Sequence, residues 1–287
     1  MSDIALVVNR LVTFGMLCFI FGPALYAEDA DLVLTRLRAV EIAALAEKIR
    51  MQTAGLPAPT SLPPKISEAL HLLSLEHPER VEIPVTAATI AIEFDLPHTA
   101  ELWLHRALLI DPKHAAAYWL FGGLAVKRLD IVEAAACYAT AVELDDSVAA
   151  YHFDLATVLT LFRHDMDATR FGANSAAVLQ RGLDHYRRAS ELEPTNREYL
   201  RAFAETHYIL EKPDWATARN AWFAVWKISP RPNFDALHLV RTSIKEGRFD
   251  EATWWLDTQS DGVSAVVLEK LREQLDKARI LAEKEKR

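Results

Sequence analysis

Two cysteines, Cys18 and Cys137, occur in 287 residues. No framework of disulfides can therefore hold this chain, and its stability has to come from packing. Glycine is also scarce, with nine residues, while alanine and leucine are abundant. That balance excludes a turn-rich β-protein and fits an all-helical one. The net charge is −8 and no block of six like charges occurs. Nucleic acid is thereby excluded as an expected partner, because phosphate binding needs a basic face. The chain has no Gly-rich phosphate loop, no nucleophile elbow, no HExxH and no CxxC. Its ten histidines never pair at three- or four-residue spacing. His164, Asp165 and Asp167 come nearest to a ligand set, but no further His or Cys has ligand spacing beside them. No catalytic residue, cofactor or metal is expected.

What is present is periodicity. In the stretch Ala115 to Val148, the residues Tyr118, Phe121, Leu124, Ala125 and Leu129 fall at helical spacing on one face. Gly122 lies inside that helix, where glycine is unfavourable by about 1 kcal/mol against alanine. The usual reason for such a glycine is close approach of a second backbone. Asp130 and Glu133 then have the spacing of a capping box for a second helix, Ile131 to Leu144. Ala134, Tyr138 and Ala141 give that helix its packing stripe. Neither helix buries its stripe alone, so further units are expected to stack on the pair.

This stretch resembles one tetratricopeptide repeat, the 34-residue helix–turn–helix unit. Tyr118, Phe121, Gly122, Ala125, Ala134, Tyr138 and Ala141 occupy its aromatic, apolar and small positions, and Asp146 stands where proline is usual. A unit 81–114 precedes it, with Ala88, Ala100, Ala107 and Pro112 in place and Leu-Pro-His at 96–98 as the turn. A unit 149–196 follows, interrupted by an insertion at 163–176. Asn174 or Ser175 is the cap expected for the helix after that insertion. Units 197–232 and 233–262 complete the series. In the last unit, Gly247 ends the first helix with a left-handed residue and Asp250 helps to cap the second. The resemblance implies an all-α, right-handed solenoid of antiparallel helix pairs. Residues 28–80 read as a degenerate capping region, with a helix over Asp31–Gln52 and a Pro-rich loop at 53–64. Residues 263–287 read as a C-terminal capping helix, with Val267, Leu271, Leu275, Ala278 and Leu281 inward. The same helix offers an alternative role in self-assembly.

The N-terminus carries a different signal. Leu11 to Gly22 is an uninterrupted apolar run, followed by Pro23 to Ala27 and the acidic pair Glu28-Asp29. Residues 1–27 resemble a secretory signal peptide cut after Ala27. The run is short for a spanning helix, and an uncleaved anchor results only if Ile4 to Val8 joins it. Export to the cell envelope is the expected location.

The family likeness also implies a function. In tetratricopeptide proteins the first helices of successive units line a groove that binds peptides or protein segments. Carried over position by position, the groove candidates are Trp119, Val126 and Lys127, then Phe153 and Thr157. Glu198, Arg201, Glu205 and Tyr208 follow, and finally Arg241 and Lys245. The ninth positions hold Thr89, Gly123, Thr157, Glu205 and Arg241, without the asparagine that chaperone-tail receptors resemble one another in having. The implied protein is a non-catalytic scaffold or adaptor with a protein or peptide partner. The three tryptophans Trp215, Trp222 and Trp226 have helical spacing, and core packing is expected of Trp222 and Trp226.

Overall fold

The computed structural model describes residues 61–166, 170–259 and 261–285. The signal-like segment 1–27, the helix expected over Asp31–Gln52, most of the Pro-rich loop, Cys18 and Asp167 lie outside the described residues. Among those described there are twelve α-helices, one 3-10 turn and no strand. None of these helices is long and apolar enough to cross a membrane. The chain is an all-α helical-repeat solenoid, and its described residues divide into two compact units on either side of the Asp146–Ser147 bond.

The first unit contains α1 (Pro64–Glu76), α2 (Glu82–Glu93), α3 (Pro97–Ile110), α4 (Ala115–Lys127) and α5 (Ile131–Leu144). Proline opens α1 and α3, where its missing N–H would have had no intrahelical partner. Helix α2 pairs with α3, and α4 with α5. Small side chains let the paired backbones approach. Ala87, Ala88, Ala91, Ala100 and Ala107 are all fully buried, as are Ala134 and Ala141. The glycine inside α4 has the reason expected of it. A Cβ on Gly122 would stand 2.5 Å from Cε1 of Tyr138, so the ring of α5 lies directly on the α4 backbone.

Three of the turns between paired helices share one geometry. The fifteenth residue of the 81–114, 115–148 and 233–262 units is left-handed in each case: Asp95 (φ 56°), Leu129 (φ 62°) and Gly247 (φ 81°). The amide of each left-handed residue donates to the carbonyl three residues back, and the next amide to the carbonyl five before it. This pattern is a Schellman closure, which satisfies the last carbonyls of the helix. Two expectations are corrected here. Leu129 does not join the packing face of α4, because it has left the helix and is 68% exposed. The turn expected at 96–98 comes earlier, since Pro97 is already the first residue of α3.

Side chains reinforce these junctions. Asp130 accepts the Glu133 amide at 3.1 Å, which is half of the expected capping box. The other half is absent: the Asp130 amide closes the turn on Ala125, and the Glu133 carboxylate binds Arg128 at 2.8 Å instead. Arg128 also pairs with Glu101 of α3, and Lys127 reaches Asp95 at 3.2 Å. His114, which has no obvious signature as a cap, accepts the Ala117 amide through Nδ1 at 3.3 Å.

The second unit contains α6 (Ala149–Leu161), α7 (Ser175–Leu192), α8 (Arg197–Thr206), the 3-10 turn His207–Ile209, α9 (Trp215–Lys227), α10 (Pro232–Glu246), α11 (Phe249–Thr258) and α12 (Ala265–Glu285). Its core runs from Ala156 and Tyr186 through Phe203, Trp222, Leu239 and Leu256 to Leu271 and Leu275. Asn174 caps α7 by accepting the Ala177 amide at 2.9 Å, as expected, and Asn196 and Asp214 cap α8 and α9 in the same way. Within the insertion, Phe171 is 2% exposed, so that segment carries its own anchor into the protein.

Arginine–carboxylate pairs join the helices of this unit. Arg197 grips both oxygens of Asp235 at 3.1 and 2.9 Å. Arg219 bridges Glu246 at 2.7 Å and Glu251 at 3.2 Å. Arg279 ties α12 to the start of α11 through the Phe249 carbonyl and Thr253. Helix α12 buries Leu271 and Leu275, but Leu281 is 60% exposed rather than inward. The helix has 21 residues against ten in α11, and Leu281 falls past the Arg279 contact where α11 begins.

Candidate protein-interaction surface

Helices α4 and α6 have no open face on which the expected groove could form. In α4, Ala117, Trp119, Leu120, Leu124, Ala125 and Val126 are all buried. A helix that is apolar all round is a core helix. Trp119, 6% exposed, and Val126, 3% exposed, are therefore packing residues as placed, which corrects the expectation that they face a partner. In α6 the same holds for Thr157, which is 6% exposed, donates to the Phe153 carbonyl and accepts the Tyr186 hydroxyl. Phe153 packs its ring on Tyr199 and Tyr186, at centroid distances of 4.6 and 5.5 Å. Lys127 is half-buried in its pair with Asp95.

Helices α8 and α10 are different, because each is amphipathic. Their buried sides carry Leu200, Phe203 and Ala204, and Ala236, Leu239 and Val240. Their polar sides hold Arg201, Glu205, Arg241 and Lys245, with Tyr208 just past the end of α8. These five candidates meet in one cluster. Arg201 pairs with Glu205 at 2.7 Å, and the Tyr208 hydroxyl lies 3.3 Å from Nδ1 of His238 on α10. Tyr208 also contacts the ring of Trp215 at 5.6 Å. The Lys245 ammonium stands over that indole, 5.9 Å from its centroid, within cation–π range. Arg241 and Lys245 have no carboxylate partner among the described residues.

The electrostatics of the cluster follow from burial and from its cations. Burial pushes the His238 imidazole down to about 4; Arg241 and then Arg201 push the same way, and Asp235 opposes them. The ring is stacked flat on Trp222, centroids 3.7 Å apart and planes 6° from parallel. Burial raises the Tyr208 phenol to about 12, with Arg241 opposing and Glu205 adding. Near neutral pH the patch therefore presents a neutral phenol, a neutral imidazole, an indole and three cations against one carboxylate. It has donors for an anion and an aromatic plate.

Periodicity alone does not reveal His238 and its stacking partner, because they lie on different helices. Trp215 sits at the edge of the patch, whereas Trp222 is fully buried and Trp226 packs against Trp255 and Phe223, as their spacing implies. A second histidine contact is equally invisible to periodicity. His152 of α6 and His185 of α7 approach at 2.9 Å between their Nδ1 atoms. Burial first, then His152 and Arg181, push His185 down to about 4. Among the described residues no cluster of three or more His, Cys, Asp or Glu is arranged to hold a metal.

No protein-family model and no curated protein sequence matches the chain. Solved structures do match in fold. One is YrrB, described as a TPR protein with an unusual peptide-binding site. It is 18% identical with a TM-score of 0.56, over 72% of this chain and 99% of that one. Another is pilF of Pseudomonas aeruginosa, 12% identical with a TM-score of 0.53, over 84% of this chain and 99% of that one. At these identities the likeness concerns the fold, and the fold is that of tetratricopeptide proteins.

Proposed function

We propose that this protein is a non-catalytic scaffold or adaptor that captures a segment of another protein on the α8–α10 surface. One observation carries the reading: two cations on α10, Arg241 and Lys245, stand without carboxylate partners among the described residues, beside an exposed phenol and an indole. Charge left unpaired next to aromatic groups is characteristic of recognition surfaces, where Arg, Tyr and Trp dominate the binding energy. The fold supports the same reading, because repeat solenoids display extended surfaces built from successive helices. A peptide-binding site is the named property of YrrB, and it is proposed here by analogy of fold.

The proposal includes an envelope location, which rests on the sequence of residues 1–27 alone. The test uses purified full-length protein and chemical cross-linking in envelope extracts, with each captured partner then purified and titrated back. Arg201→Ala combined with Arg241→Ala should weaken the titrated affinity while leaving helicity intact. Unchanged affinity in the double variant sinks the assignment of this surface.

A further inference from the structure

The spacing and sign of the free charges on α10 define the occupant more narrowly. Arg241 and Lys245 are four residues apart on one helix, so they lie on the same face, about 6 Å apart at their Cβ atoms. An extended chain repeats its side chains on one face every second residue, about 6.6 Å apart. We propose that the α8–α10 face takes an extended acidic segment with carboxylates at alternate positions, one on Arg241 and the next on Lys245. This deepens the adaptor reading and rests on it.

The surroundings fit such an occupant. Arg201 is 2.7 Å from Glu205 in an exposed pair, and can turn part of its guanidinium toward a third carboxylate. The Tyr208 hydroxyl can donate to an anion while His238 Nδ1 remains beside it. The Trp215 indole, under Lys245 and against Tyr208, offers a plate for the side chains between the carboxylates. A guanidinium matches a carboxylate with two parallel N–H donors. Nucleic acid fits less well, because a duplex or strand needs a continuous basic face, and this chain carries 40 acidic residues against 32 basic ones.

The test is fluorescence anisotropy with the full chain and three labelled peptides. The first alternates glutamate with serine and tyrosine. The second has the same composition with its glutamates contiguous at one end. The third carries lysine in place of glutamate. The first should bind best, more weakly as salt rises, and the lysine peptide should not bind. Lys245→Gln, at an exposed position, should weaken the first peptide about tenfold, the loss of one charge-assisted contact. Arg241→Gln, which removes the charge and keeps a polar side chain, should do the same, with circular dichroism confirming that both variants fold.

Equal binding of the alternating and contiguous peptides overturns the register. Indifference to both substitutions overturns the site. Tighter binding of anionic phospholipid vesicles or an oligonucleotide, lost in the same variants, overturns the peptide occupant. If the acidic peptide fails while Arg201→Ala with Arg241→Ala still weakens the natural partner, the acidic occupant falls and the adaptor reading stands.

Discussion

Adjacent glycines in α4 should respond oppositely to the same substitution. A Cβ on Gly122 would lie 2.5 Å from Tyr138 Cε1, 2.6 Å from Cδ1 and 3.1 Å from Cγ. Ordinary carbon–carbon contact is about 3.5–4.0 Å, so ring or helix must shift by about 1 Å. Tyr138 is 3% exposed and has little room to yield. Overpacking of this kind is unfavourable by about 1–3 kcal/mol, and two ring atoms in overlap place it near the upper end. Alanine recovers about 1 kcal/mol of helix propensity. Gly122→Ala should therefore destabilise by about 2 kcal/mol. At Gly123 the added Cβ meets only the Tyr138 hydroxyl, at 3.8 Å, which is ordinary contact. Gly123→Ala should keep the propensity gain and stabilise by about 0.5–1 kcal/mol. Urea unfolding followed by far-ultraviolet circular dichroism compares the two directly. A double change, Gly122→Ala with Tyr138→Leu, should recover part of the loss. If both single variants are stabilised alike, Tyr138 does not lie on α4 and the packing described for this unit is wrong.

Two further outcomes follow from groups in the second unit. Arg197→Ala should destabilise by about 2–3 kcal/mol, because it strands the buried Asp235 carboxylate. Replacing both partners, Arg197→Met with Asp235→Leu, should lose less than the single change in thermal unfolding, and an equal or greater loss would show that the pair is not buried together. The second outcome concerns pH. His185 and His238 are held neutral, each at about 4 against an ordinary 6.5. Above pH 6.5 both states are neutral at these rings and no linkage acts. As pH falls from 6.5 toward 4 the unfolded chain gains protons that the folded one refuses, so stability falls, by about 1–3 kcal/mol for each ring after allowing for its partial exposure. The slope of denaturation midpoint against pH in that window should be smaller in His185→Gln and in His238→Gln. A slope unchanged by both substitutions would mean that neither ring resists protonation.

The repeats are legible in the sequence because their cause is local. Small residues at fixed offsets permit close helix approach, and Gly122, Ala134 and Ala141 announce that approach through residue type alone. The left-handed turns are legible only at Gly247, because there the residue type and the conformation agree. At Leu129 the same turn is imposed by two packed helices on a residue that does not favour it, and Asp95 only tolerates it. The His114 cap is hidden for a related reason, since imidazole is an uncommon cap and only the fold shows its Nδ1 facing the Ala117 amide. The groove rule carried over from the family names residues on open faces of α8 and α10 but packed ones on α4 and α6. The packed ones have a visible warning: AAAYWLFGGLAV in α4 has no polar face to turn outward. The histidine contacts have no warning. His152 and His185 are 33 residues apart, and only helix pairing brings them together.

The location of the candidate surface follows from how this chain distributes its arginines. Several at helix junctions answer carboxylates: Arg128 takes Glu101 and Glu133, Arg197 takes Asp235, and Arg219 takes Glu246 and Glu251. In a chain with 40 acidic residues, a carboxylate for Arg241 was available to selection at many neighbouring positions. Arg241 instead lies half-buried beside a phenol and an imidazole whose charged forms burial disfavours. Partial burial without a carboxylate partner among the described residues weakens the folded chain by itself, and under the proposed reading an incoming carboxylate would complete it.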